Sequence, residues 1–67
     1  MKVIINGQSL RLFKGARVKD AVKKFSELYR EEMPHNPYTI TDLYGNVIRP
    51  DGRLSENEHL YIKPKKT

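Results

Sequence analysis

The feature that most restricts the fold is one amphipathic helix pattern set between segments of a different period. Val18, Ala21, Val22, Phe25, Leu28 and Tyr29 recur at steps of three and four, which lines one face of a helix over about residues 17–32. "KGA" precedes this stretch, and Pro34 and Pro37 mark its end. On both sides the period falls to two: Val3 with Ile5, Leu10 with Leu12, and Leu60 with Ile62 each put apolar groups on one side of a strand. In a chain of 67 residues one helix with several strands has few solutions. A lone amphipathic helix must bury its stripe on one face of a sheet.

Between these markers the chain reads ββαβ(β)β. Asn6 and Gly7 tolerate positive φ and begin a hairpin connection. A loop of about four residues, Asn6 to Ser9, sets Ile5 opposite Leu10 and Val3 opposite Leu12, with Ile4, Arg11 and Phe13 on the other face. "YTITDLYGNVIRPDGRL" supplies a strand from about Tyr38 to Leu43, a turn at Gly45 and Asn46, a short segment at Val47 and Ile48, and a second turn at Pro50, Asp51 and Gly52. The last strand turns Leu60 and Ile62 inward and His59, Tyr61 and Lys63 outward. With a right-handed crossover, the α+β arrangement that fits is a β-grasp: a mixed sheet of four to five strands, order 2-1-5-3, with the helix on one face. The expected core is Val3, Ile5, Leu10, Leu12, Val18, Ala21, Val22, Phe25, Leu28, Ile40, Leu54, Leu60 and Ile62.

Nearly every apolar residue is needed, because a chain this short is near the lower limit for a core without disulfides or metal. Cysteine is absent, which excludes a disulfide framework, a thiol nucleophile and a thiolate metal site. Apolar runs are only a few residues long and "MKVIING" leads straight into a strand, so neither a spanning helix nor a signal peptide is expected. A cytoplasmic monomer is the expectation.

The helix charges run against its dipole. Lys19, Lys23 and Lys24 sit toward its start and Glu31 and Glu32 toward its expected end, a layout unfavourable by about 0.3–1 kcal/mol per charge. Ala16 or Arg17 stands where a capping Ser, Thr or Asp belongs, although Asp20 suits the first turns. Net charge is +5 and uneven. Residues 1–24 carry seven basic side chains against Asp20, residues 25–48 carry Arg30 against four acids, and residues 49–67 carry five against three. Anionic partners, or a solvated basic surface that keeps the domain dispersed, both follow from this.

At this level the chain resembles the ubiquitin-like superfamily, and within it the ThiS and MoaD sulfur carriers and the TGS domain. "MKVIING" resembles the opening strand of thiamin sulfur carriers, "KGARVKDAVKKF" their dGaTVxdLL helix start, and "GRLSENEHLYI" their xxLxxGDxIxI close. The likeness runs from Met1 to about Lys63. Arg17 replaces the capping Thr, and Asn57-Glu58 replaces the Gly-Asp of the last turn, where Asn can hold left-handed geometry. The resemblance would imply a C-terminal Gly-Gly that is adenylated and converted to a thiocarboxylate, but this sequence reads Pro64-Lys65-Lys66-Thr67 there. The expectation is one domain over residues 1–63 and a flexible basic tail over 64–67, with no carrier chemistry. A different or processed natural C-terminus would restore the sulfur-carrier alternative.

No catalytic, cofactor or metal residues are assigned. His35 and His59 lack partners at ligand or general-base spacing, Ser26 and Ser55 lack a nucleophile signature, and the four glycines are isolated turn residues. The candidate site is the open sheet face, where strand parity collects Lys2, Ile4, Arg11, Phe13, His59, Tyr61 and Lys63, with Thr39 and Thr41 on the far strand. Such a face can bury against an unidentified protein partner. It can also stack on RNA or single-stranded DNA, helped by Lys19, Lys23 and the terminal lysines.

Overall fold

The computed structural model describes residues 1–35 and 37–65. Strands β1 (Lys2–Ile5) and β2 (Gln8–Arg11) form a hairpin, α1 (Val18–Leu28) crosses, a 3-10 turn (Arg30–Glu32) follows, and β3 (Tyr38–Thr41) and β4 (Glu58–Pro64) complete the sheet. The order is β2-β1-β4-β3. β1 and β4 are parallel and the outer pairs antiparallel. This small α+β architecture, one helix and a four-stranded mixed sheet, is compatible with a β-grasp. Val47, in the candidate fifth strand, makes an isolated bridge to Thr41.

The hairpin is tighter than expected. Asn6 (φ 49°) and Gly7 (φ 84°) alone form the connection, the pair of left-handed residues that a type I′ turn requires. Val3 therefore faces Leu10 and Ile5 faces Gln8, which corrects the four-residue loop by a register of two. Because side chains alternate with period two, this correction leaves each on its expected face. Leu12 lies against Met1, with N–H to carbonyl distances of 2.7 Å from Leu12 and 2.9 Å from the Met1 amino group.

Asn6 also joins the hairpin to the centre of the sheet. Its N–H donates to the Leu60 carbonyl at 3.0 Å. Its Oδ1 accepts the Ile62 N–H at 3.0 Å and its Nδ2 donates to the Ile62 carbonyl at 3.3 Å. The carboxamide thus takes the place of a peptide group and lengthens the parallel ladder after the backbone has turned away.

The helix start is capped from a distance. Arg17 occupies the N-cap, and its guanidinium has no acceptor to offer. Asp20 instead accepts the Arg17 N–H at 2.8 Å. The Val18 and Lys19 N–H groups donate to the carbonyls of Gly52 (3.0 Å) and Pro50 (2.7 Å). The Arg49–Gly52 turn, closed by Gly52 N–H to the Arg49 carbonyl at 3.0 Å, supplies what a local cap would have supplied. Gly52 fits this close approach: a Cβ there would lie 3.1 Å from the Arg49 carbonyl oxygen and 3.5 Å from Val18 Cγ2.

At its other end α1 is shorter than the expected 17–32. Tyr29 (φ −129°, ψ 49°) leaves the helix and lays its ring on Phe25, centroids 5.3 Å apart. Leu28 is then the last helical residue and 58% exposed, which removes it from the expected core. Glu31 and Glu32 belong to the separate 3-10 turn, so they do not oppose the dipole from the last turn of α1. Leu54 is only partly buried, while Ala16 joins the core. Phe25, Ile5, Leu60, Val3 and Val18 are its largest fully buried side chains.

The sheet pairing runs past Lys63. β4 includes Pro64, paired with Tyr38, and the Lys65 N–H donates to the Pro37 carbonyl at 3.1 Å. Pro64 costs no ladder bond because it sits between the hydrogen-bonded pairs, where a strand residue donates nothing to that neighbour. Lys66 and Thr67, the rest of the expected tail, lie outside the described residues.

Asn6→Ala removes both carboxamide bonds and leaves a β-carbon in left-handed geometry, for an expected loss of about 2–4 kcal/mol. Asn6→Gly keeps the turn and should lose less. Urea unfolding of the three proteins checks this; matching midpoints for Asn6→Ala and the parent would show that the bridge carries no weight.

Candidate functional site

Six of the seven expected face residues stand on strands: Lys2 and Ile4 on β1, Arg11 on β2, and His59, Tyr61 and Lys63 on β4. Register brings some of them together. Ile4 lies between Ser9 and His59, Lys2 opposite Arg11, Tyr61 opposite Thr41 and Lys63 opposite Thr39. Ile4 and Tyr61 are half-buried, while Lys2, Arg11, His59 and Lys63 are exposed. The Lys63 ammonium is 5.9 Å from the centre of the Tyr61 ring, at the outer reach of a cation–π contact. Phe13 lies beyond β2 at a corner closed by Ala16 N–H to the Phe13 carbonyl, and is 63% exposed. It borders the face instead of standing within a strand.

The cations are not spread evenly. Lys2 and Arg11 mark one end of the face and Lys63 the other, separated along β4 by four residues or roughly 13 Å beyond the Ile4–His59 row. An apolar centre with cations at both ends remains. Beside it Thr41 is buried, and its hydroxyl has no hydrogen-bond partner among the described residues.

Among the described residues, no cluster of three or more His, Cys, Asp or Glu could hold a metal, and no helix is long and apolar enough to cross a membrane. Asp42 is the carboxylate whose environment stands out. It accepts the N–H groups of Asn46 and Tyr44, each at 2.9 Å, and the Asn46 side-chain amide at 3.2 Å. The Asn46 backbone donor, foremost among these, holds the Asp42 carboxyl below the usual aspartate value. This wrapping ends β3 at Thr41 and turns out a loop on which Leu43 and Tyr44 are 56% and 84% exposed.

A second concave surface escaped the sequence reading. A groove of about 440 Å³ runs between α1 and β3 and is bounded by the segment leading to Pro50. Val22 and Ser26 form its helical wall, Met33, Tyr38 and Ile40 line it from the chain after α1, and Val47 and Ile48 close the far side. Lys19 and Lys23, one helical turn apart, also line it. These residues follow no single period, so pattern alone could not collect them. The only sequence signal was the exposed pair of lysines and the short apolar Val47-Ile48 step.

No protein-family model matches this sequence, and no curated protein is significantly similar to it.

The sign of the Asp42 effect is fixed by its direction. A carboxyl whose folded value is depressed contributes loop stability that is present above its unfolded value and lost as pH falls through the folded one. The Tyr44 and Asn46 amide resonances should therefore titrate together in acid, with a midpoint below that of an ordinary aspartate. A midpoint at or above the ordinary value would show that the carboxylate does not hold the loop.

Proposed function

We propose that this chain is a non-catalytic, ubiquitin-like binding module of the β-grasp type, related in design to the ThiS and MoaD carriers, and that it docks a protein partner through the open sheet face. The arrangement of α1 on one face and a parallel β1–β4 pair in the middle of the sheet supports the fold assignment. The observation that carries the function is the centre of the other face, where Ile4 and Tyr61 lie half-buried with Lys2, Arg11, His59 and Lys63 around them. An aromatic and a branched aliphatic side chain inside a polar ring is the composition of a small interface centre.

A second reading, single-stranded nucleic acid on the same face, draws on the Lys63–Tyr61 contact and on the basic charge. It differs in one respect that can be measured. Phosphate contacts release counterions, so affinity for an oligonucleotide falls steeply with salt, whereas a contact centred on Ile4 and Tyr61 changes little.

A photo-crosslinking phenylalanine analogue at position 61, with the same analogue at position 27 on the exposed side of α1 as control, should trap a discrete protein only from position 61. Tyr61→Ala should weaken that partner by about thirtyfold or more, the equivalent of ~2 kcal/mol for a buried anchor. A partner held equally well by Tyr61→Ala would remove the open face from the account. Titration with a mixed oligonucleotide pool near physiological salt should leave the spectrum unchanged; salt-sensitive shifts confined to the open face would establish the second reading instead.

A further inference from the structure

Three lysines of α1 stand where its dipole does not favour them, and internal contacts account for one. Lys24 donates its Nζ to the Arg11 carbonyl and so ties the helix to β2. Lys19 and Lys23 are exposed and instead line the groove between α1 and β3. They are residues i and i+4 of one helical stripe that continues through Val22 and Ser26, so their ammonium groups are neighbours of like charge. No carboxylate of the described residues lines the groove to offset them. The helix terminus is not what an anion would meet here, because the Val18 and Lys19 N–H groups already donate to Gly52 and Pro50. The open positive charge is that of the two side chains, and an anion held between them relieves both their repulsion and their unfavourable place on the dipole.

The rest of the groove is apolar. Val22 and Ile40, each 8% exposed, are its most buried lining residues, and Met33, Tyr38 and Ile48 are half-buried around them. The Ser26 hydroxyl donates to the Lys23 carbonyl at 2.7 Å. Ile48 donates its N–H to the Ile40 carbonyl at 2.9 Å beside the Thr41–Val47 bridge, and so occupies the β3 edge at that point. The Ile40 N–H and the peptide groups of Tyr38, on the same border, have no backbone partner among the described residues. With Ile48 seated there the groove has no place for an added strand, and its occupant must be one that needs no backbone ladder. Its volume of about 440 Å³ falls within the span of small-molecule sites, about 300–1,000 Å³. Two turns of a helix about 10 Å across would need roughly 800 Å³. Apolar walls with one cationic rim match a molecule that is apolar along its length and negative at one end.

We propose that this groove is a binding site for a small amphiphilic anion, with an aliphatic or aromatic body against Val22, Ile40 and Ile48 and a carboxylate or phosphate head between Lys19 and Lys23. Lysine suits the task, since a compact charge on a flexible stem reaches a head group without imposing a fixed geometry. Burial of the body sets the place, and the two ammonium groups set the sign of the ligand. The site lies on a different side of the sheet from the protein contact proposed above, and either can fail while the other stands.

The test titrates decanoate, below its micelle concentration, into the full chain and follows it by NMR. The Val22, Lys23, Ile40 and Ile48 amides should shift, with those of Ile4 and Tyr61 unmoved, and NOE contacts should join the decanoate chain to the Val22 and Ile48 methyl groups. Lys19→Gln/Lys23→Gln, altered only at exposed positions, should keep the fold's spectrum and bind 1-decanol as the parent does, but bind decanoate about tenfold more weakly. Decyltrimethylammonium, with the same chain and the opposite charge, should also bind about tenfold more weakly than decanoate, or worse. Decyl phosphate compared with decanoate then identifies the head group, as whichever binds more tightly. Any of four results overturns the proposal: no shifts at millimolar decanoate, equal decanoate binding by the double variant, equal shifts from acetate, or shifts confined to the open face. Capture by phosphatidylglycerol vesicles without groove shifts from free decanoate would assign the lysines to a membrane surface and overturn it as well.

Discussion

The sheet depends on the hydrogen bonds that Asn6 makes to β4. The parallel β1–β4 register is only three residue pairs long, Val3–Glu58, Ile4–His59 and Ile5–Leu60, yet it is the seam between the two ends of the chain. By turning its carboxamide onto the peptide groups of Ile62, Asn6 extends that seam while its own backbone begins the hairpin turn. One residue therefore sets both the β1–β2 register and the β1–β4 one. In a domain whose whole stability is a few kcal/mol, two half-buried hydrogen bonds at the central seam weigh more than they would at an edge. The other end of the seam is secured similarly, with Asn57, at φ 63°, donating to the Lys2 carbonyl and Glu56 accepting the Lys2 N–H.

Holding the sheet from its middle frees its margins. Val18, Ala21, Val22 and Phe25 of α1 pack with Val3, Ile5, Leu10, Leu60 and Ile62, so the helix covers one face and leaves the other bare. Because the Arg49–Gly52 turn must reach α1 to cap Val18 and Lys19, the segment beside β3 is drawn away after Ile48, and half of the β3 edge is left open. The same constraint that satisfies the helix N-terminus thus creates the groove. The capping turn, the rim lysines and the unpaired peptide groups all border one concave surface.

Much of this was legible in the sequence, and the failures have physical causes. Alternation placed Ile4, His59, Tyr61 and Lys63 correctly relative to Leu60 and Ile62, since parity survives a register error of two. The register itself was misread because Asn-Gly can open a four-residue loop or be the whole of a two-residue one. Asn57 was read correctly as a residue able to hold left-handed geometry. The helix end was misjudged because Tyr29 continues the apolar spacing while packing on Phe25 from outside the helix. The distant cap and the groove were beyond reach for a common reason. Both are made by groups from separate parts of the chain, such as Gly52 with Val18 or Val22 with Ile48, and no local pattern reports that they meet.

Native-state hydrogen exchange tests the central claim, that the sheet is pinned at Asn6 and open at β3. The Ile62 amide, bonded among the described residues to the Asn6 side chain alone, should exchange near the slow limit set by global unfolding, as should those of Thr39 and Thr41, while Ile40 and Tyr38 between and beside them exchange fast. Slow exchange at Ile40 equal to that of Thr41, or fast exchange at Ile62, would contradict the account.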